Sequence, residues 1–226
     1  MKPHIILASK SERRKEILKR EGIDFDIYVP NAGEKDIIGE KYSEELLNEC
    51  AMAKARAAYE ELSEGSHSSS IREGSHSSLV HTTSIVGASY TSANKGLAQL
   101  AHTTIIVSCD TVVVNDGVII GKPKDRDDAI KILKSLSGMR HMVISTICIC
   151  KNGKYETKSD TTYVTFKKIS DEEIENYINE RKPYDKAGSY GIQDEKFDFV
   201  ESVEGSMDNV VGFPIEVFKE MIAGLA

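Results

Sequence analysis

The chain has 226 residues, 40% hydrophobic and 29% charged, which places it among soluble globular proteins, with one sizeable domain or two small ones sharing a cleft. Acidic residues outnumber basic ones, 36 to 29, and the net charge of −7 excludes the broad basic surface that nucleic-acid binding draws on. No apolar run approaches the roughly 20 residues that cross a bilayer, and the opening MKPHIILASKSERRKEIL returns to charge too soon for a secretory signal, so a cytoplasmic location is expected, with neither membrane nor nucleic acid as partner.

Ile5-Ile6-Leu7 reads as a short buried strand, and Ser9 to Ser11 lead into a charged helix that carries Ile17 and Leu18 inward and stops at Gly22. Ile23, Phe25, Ile27 and Val29 alternate, which predicts a half-buried strand over 23–29. Ser43 opens a long helix with Leu46, Leu47, Cys50, Ala51, Ala57, Ala58 and Leu62 at three-to-four spacing. From about Ser63 to His102 the pattern collapses into an imperfect SEGSHSSS/REGSHSSL repeat rich in Ser, Thr, Ala and Gly, too poor in apolar surface to offset the entropy of ordering. It is expected to be a flexible surface insertion, and the spacing of its His67, His76, His81 and His102 fits no standard zinc site.

Thr104 to Val114 is a continuous apolar run, as expected of a strand buried on both faces. A two-stranded pattern turns at Asn115-Asp116-Gly117, and Pro123 and Asp125 introduce a helix ended by Gly138. Met142 to Cys150 is a strand joined through an Asn152-Gly153 hairpin turn to Tyr155–Phe166. Ser170 with Glu173 forms a capping box for the next helix. Irregular sequence covers 181–193, a short strand lies around Phe197 to Val203, and Pro214 begins the last helix. Strands and helices interleave around a central hairpin, so the fold class is α/β with a mixed sheet flanked by helices. Cys50, Cys109, Cys148 and Cys150 fall inside these elements with no CxxC pair, which reads as reduced structural thiols.

Four groups of residues depart from what packing alone requires. Asp110 lies in a run of Ile, Val and Cys, where an unpartnered carboxylate costs several kcal/mol to bury; it is either a satisfied structural residue or a metal ligand or base at the end of a central strand. Lys54 falls on the apolar stripe of its helix, four residues after Cys50, and either snorkels to solvent or meets an anion. Ser9, Ser11, Arg13 and Arg14 stand at a strand-to-helix junction, where free N–H groups and the helix dipole favour phosphate. Lys122 sits between Gly121 and Pro123, a pinned cation; no GxxxxGK[ST] string occurs, which disfavours a P-loop enzyme. Glu34, in the loop after the second strand, is a solvated loop carboxylate or the second oxygen ligand, beside Asp110, of a hard divalent ion.

LASKSERR, GEKD, AMAKARA, SCDTVVV, IIGKPKDRDDAIKILKSLSG, the H-x-V of His141 to Val143, DKAGSYGIQ and EGSMDNVVGFP occur in that order. Together they resemble the Maf family of nucleotide pyrophosphatases, over nearly the whole chain outside the Ser-rich stretch at 63–102. The resemblance implies a single domain over 1–226 with the fold of inosine triphosphate pyrophosphatases, an elongated mixed α/β structure with a central cleft. It implies hydrolysis of nucleoside triphosphates to monophosphate and pyrophosphate, with dTTP and UTP preferred and modified nucleotides also accepted. Asp110, Glu34 and Lys122 are then the catalytic residues, Glu34 and Asp110 the metal ligands. Ser9, Arg13, Arg14, Lys54, Thr111 and Gln193 contact substrate, with Arg13, Thr111 and Gln193 linked to its choice. The implied cofactor is a divalent cation, magnesium before manganese or cobalt, and the implied assembly is a homodimer. The sequence departs from the family pattern at Glu12, where Pro is usual, at Met139, where a basic residue is common, and in the length of 63–102. The alternatives to hydrolysis are a non-catalytic nucleotide-binding regulator, a scaffold acting through the Ser/His-rich insertion, and a zinc protein.

Overall fold

The structure, a computed structural model, describes residues 3–31, 36–64, 103–194 and 196–225, and the backbone of 72–73. In chain order the elements are β1 (His4–Leu7), α1 (Glu12–Arg20), β2 (Asp26–Ile27), α2 (Glu44–Ser63), β3 (Arg72–Glu73), β4 (Thr104–Asn115) and β5 (Val118–Ile120). They continue as α3 (Arg126–Leu136), β6 (Arg140–Lys151), β7 (Lys154–Phe166), α4 (Asp171–Arg181), a 3-10 turn (Ala187–Ser189), β8 (Val200–Glu204), α5 (Met207–Val211) and α6 (Ile215–Ala223). The helix starts follow local chemistry: the Ser43 side chain accepts from Leu46 N–H, Asp125 from Asp128 N–H, and Ser170 and Glu173 form the reciprocal capping box.

Among the described residues one eight-stranded sheet forms in the order β3-β2-β1-β4-β6-β7-β8, with β5 folding back on β4. β1 runs parallel to β2 and β4, while β4, β6, β7 and β8 are antiparallel in sequence, so the expected mixed α/β sheet is found. Within 63–102, Ser63 closes α2, Glu64 caps it and Arg72–Glu73 pair with β2; the remainder, with all four of its histidines, lies outside the described residues.

Two sequence expectations shift. The alternation over 23–29 contributes only Asp26–Ile27 to the sheet, because β1 offers just Ile6 and Leu7 as parallel partners. There Ile27 and Tyr28 are buried in succession, as in a strand covered on both faces, while Val29 is exposed. The short helix α5 is an addition; its signals are Ser206, whose side chain caps Asn209 N–H, and Gly212, left-handed at φ 118°.

Packing divides the sheet along its length. On one face, Ile105, Val107, Cys109 and Ile147 pack with Ile17 and Leu18 of α1 and Phe218 and Met221 of α6. Further along that face, Val113, Val143, Val164 and Phe166 pack with Ala129 and Leu133 of α3 and Ile174 and Tyr177 of α4. On the other face α2 lays Ala51, Ala55 and Ala58 over Ile6, Ile106, Cys148 and Cys150, and Leu47 and Cys50 over Val112, Val114 and Ile144. All four cysteines are free and buried, and burial pushes the Cys148 thiol up to about 12. A polar seam separates the apolar clusters. In it Asp110 pairs with Thr146 and Ser159 across β4, β6 and β7, and Thr111 with Ser145 and Asp160.

Candidate active site

Strand alternation sends Asp110 and Thr111 to opposite faces of β4. Asp110 faces α2, where Lys54 stands between the two apolar patches of that helix. Lys54 Nζ donates to Asp110 Oδ1 at 2.7 Å, with side-chain exposures of 14% and 21%. The carboxylate is thus held beside a cation at the seam, half withdrawn from water, where a charge interaction is stronger than at the surface. The seam continues past Asp110 as hydroxyls, with Thr146 Oγ1 buried 2.7 Å from Ser159 Oγ.

Thr111 faces Arg14. The guanidinium donates through Nε to the Gly212 carbonyl (2.9 Å), through Nη1 to the Cys109 carbonyl (2.7 Å) and Ser9 Oγ (3.2 Å), and through Nη2 to Thr111 Oγ1 (3.2 Å). Ser9 Oγ also accepts from Ser11 N–H. Three of the sequence-selected residues, Ser9, Arg14 and Thr111, therefore form one cluster joining the end of β1, the start of α1, mid-β4 and the turn after α5. Sequence reading missed its extension: Thr111 Oγ1 lies 2.9 Å from Ser145 Oγ, which donates to the carbonyl of buried Asn209. Asn209 Nδ2 in turn donates to Val143 O and Thr162 Oγ1. These partners are far apart in the chain, so only Asn209 in SMDN carried a local sign, as a helix-capping partner.

Arg13 points elsewhere, to Asp185 Oδ2 at 3.1 Å, and Lys186 Nζ meets the other oxygen of the same carboxylate at 2.8 Å. Burial alone would raise Asp185, but Lys186 and Arg13 hold its carboxyl below the usual range. The turn that follows docks on the sheet: Gly188 N–H donates to the Gly121 carbonyl, and a β-carbon at Gly188 (φ 71°) would lie 2.9 Å from Val113 Cγ2. That contact brings DKAGSYG against the GKP turn that carries exposed Lys122. Gln193 is exposed in a turn closed by Asp194 N–H to Gly191 O. Tyr177 braces this turn, its hydroxyl accepting from Gly191 N–H (2.9 Å) and donating to Asp194 Oδ2 (2.7 Å). Behind the turn, buried His141 shares a 2.9 Å hydrogen bond with Tyr190, and burial lowers its pKa to about 4.

Glu34 lies outside the described residues. Among the described residues no group of three or more His, Cys, Asp or Glu gathers as a metal cage. A hard divalent ion needs less from the protein, since magnesium is commonly held by one or two carboxylates and completes its shell with water and phosphate oxygens. Asp110, a hard oxygen donor at a polar seam with the sulfurs packed into the core, fits such an ion.

The chain matches the family of Maf-like proteins over residues 4–225. It belongs to that family. Among relatives in the Maf family, a Clostridium beijerinckii protein named dTTP/UTP pyrophosphatase is 36% identical over 220 residues, 96% of this chain and 97% of that protein. A Bdellovibrio bacteriovorus protein of the same name is 34% identical over 225 residues, 99% of both chains. A third of that name, from Thermoanaerobacter sp., is 35% identical over 213 residues, 93% of this chain and 91% of its own. The Maf match begins at β1 and ends in the last turn of the chain, so every element of the seam and of the Arg14 cluster falls within it.

Proposed function

We propose that this chain hydrolyses nucleoside triphosphates to the monophosphate and pyrophosphate, with dTTP and UTP preferred. The observation that carries the reading is the Lys54–Asp110 pair at the sheet's polar seam, in a chain alike over nearly its full length to proteins named dTTP/UTP pyrophosphatase. Hydrolysis of a phosphoanhydride asks mainly for positioning and charge neutralisation. Asp110 is the proton acceptor for the attacking water, oriented by Lys54. Ser9, in the junction before α1, and Arg13, in its first turn, hold phosphate oxygens, and Lys122 offsets charge on the departing pyrophosphate. Arg14, committed to two carbonyls and two hydroxyls, holds Ser9 and Thr111 in place. Gln193 offers one donor and one acceptor to a pyrimidine edge.

Asp110, with Glu34, would hold a magnesium ion. When bound, such an ion polarises a phosphoryl oxygen and makes a coordinated water more acidic.

The test is pyrophosphate release from a panel of ribo-, deoxyribo- and modified triphosphates, with and without a chelator. The expected result is release from dTTP and UTP ahead of purine triphosphates, lost with chelator and restored by magnesium. A folded protein that binds nucleotide yet frees no pyrophosphate from any of them would be a regulator, and the reading would be wrong.

A further inference from the structure

The contact between Arg13 and Asp185 joins two parts of the molecule that are far apart in the chain. Arg13 belongs to the first turn of α1, which packs with α6 on one cluster; Asp185 belongs to the loop after α4, which packs with α3 on the other. The Asp185 carboxylate is gripped at both oxygens, by Arg13 Nη1 on Oδ2 and by Lys186 Nζ on Oδ1. Yet it is 62% exposed, against 36% for Arg13 and 22% for Lys186. An anion held at two oxygens by two cations, with its back open to water, has the form of a small oxyanion in a binding site.

Lys186 is placed for more than this one contact. The turn from Pro183 to Lys186 is closed by Lys186 N–H to Pro183 O, and the lysine stem lies on Gly191, where a β-carbon would stand 3.1 Å from Lys186 Cε. The ammonium is therefore carried on a packed stem, and a larger residue at 191 would displace it. On the opposite side, Ser11 at the N-cap of α1 makes no side-chain cap bond.

We propose that Arg13 and Lys186 form a two-cation subsite for a phosphate of the substrate, and that Asp185 occupies it in the free protein as an internal stand-in. The proposal rests on the triphosphate reading above and deepens it by naming Lys186 and Asp185 as members of the phosphate site. Exposed ion pairs are individually weak, so an incoming phosphate, with more charge and more acceptor oxygens than a carboxylate, displaces Asp185 at little cost. The carboxylate meanwhile keeps both cations extended and discourages ligands of low charge. Substrate affinity is thus set by a competition inside the protein.

The test is titration calorimetry of the full chain with sodium tripolyphosphate, which needs neither the base nor turnover. Asp185→Asn should bind about three- to fivefold more tightly than the unmodified chain, the gain expected from removing one exposed competing pair. Lys186→Met should bind about fivefold more weakly or worse, with an unchanged circular dichroism spectrum. Equal or weaker binding by Asp185→Asn, equal binding by Lys186→Met, or no binding of tripolyphosphate by the unmodified chain would each overturn the subsite. Failure of nucleotide hydrolysis in the unmodified chain, with these tripolyphosphate shifts intact, would instead overturn the enzymatic reading and leave the anion site standing.

Discussion

Ile38 lies flat against Gly121: a β-carbon added at 121 would stand 2.3 Å from Ile38 Cγ1 and 2.4 Å from Cδ1. Gly121 also gives its carbonyl to Gly188 N–H, so one residue without a side chain lets the 36–41 segment and the 187–189 turn close on the same strand end, next to Lys122. Gly121→Ala should cost about 1–3 kcal/mol through overpacking by a β-branched neighbour and should weaken substrate use through Lys122. Ile38→Ala in the same chain should recover most of both losses. Urea melts and initial rates of the two variants check this, and a Gly121→Ala chain that melts normally would contradict it.

Asp110→Asn keeps the shape of the side chain and removes its charge, so turnover should fall by about two to four orders of magnitude. The fold should persist, because an amide can still accept from Lys54. Lys54→Met should reduce turnover less, and the double variant should be no slower than Asp110→Asn alone, as expected of residues acting as a unit. Pyrophosphate release beside circular dichroism makes the comparison. Normal turnover by a folded Asp110→Asn chain would remove Asp110 from the chemistry.

Arg14 reaches two carbonyls and two hydroxyls with one planar fork. A lysine cannot reproduce that geometry, and Arg14→Lys should lower unfolding free energy by about 2–3 kcal/mol. Denaturant titration measures the loss. A variant as stable as the original chain would mean that these bonds contribute nothing net.

His141 is neutral in the fold, with its pKa lowered by burial from 6.5 to about 4. Between those values the unfolded chain binds the extra proton and the folded chain does not. The contribution is therefore complete above pH 6.5 and lost as pH falls toward 4, an effect of about 3 kcal/mol at most. Melting temperatures should drop between pH 7 and pH 5 in the original chain more than in His141→Phe. Parallel curves for the two would show that another group controls the acid limb.

How much of this was legible depends on how local the cause is. Asp110 could be singled out because a carboxylate in TIIVSCDTVVV breaks an apolar run, and Lys54 because it stands on the stripe set by Leu47 and Cys50. The capping box at Ser170 is a signal four residues long, and it forms as read. The strand over 23–29 shortened because parallel pairing is limited by β1, which that stretch of sequence does not contain. Ser145 and Thr162 gave no warning, and Asn209 showed only as a capping partner of Ser206, since the bonds that join the three span 44 to 66 positions. Asp185 and Lys186 were visible as part of DKAG, but the bond from Arg13 to Asp185, 172 positions away, was not.

The four sealed sulfurs turn the molecule into its own opening gauge. Cys109 lies under α1 and α6, whereas Cys148 and Cys150 lie under α2, which carries Cys50 on its own sheet-facing side. A thiol-reactive dye should ignore the closed protein and mark a cysteine only when its cover lifts. The order in which peptides carrying these residues acquire label then tells which layer peels from the sheet first, with no engineered reporter required.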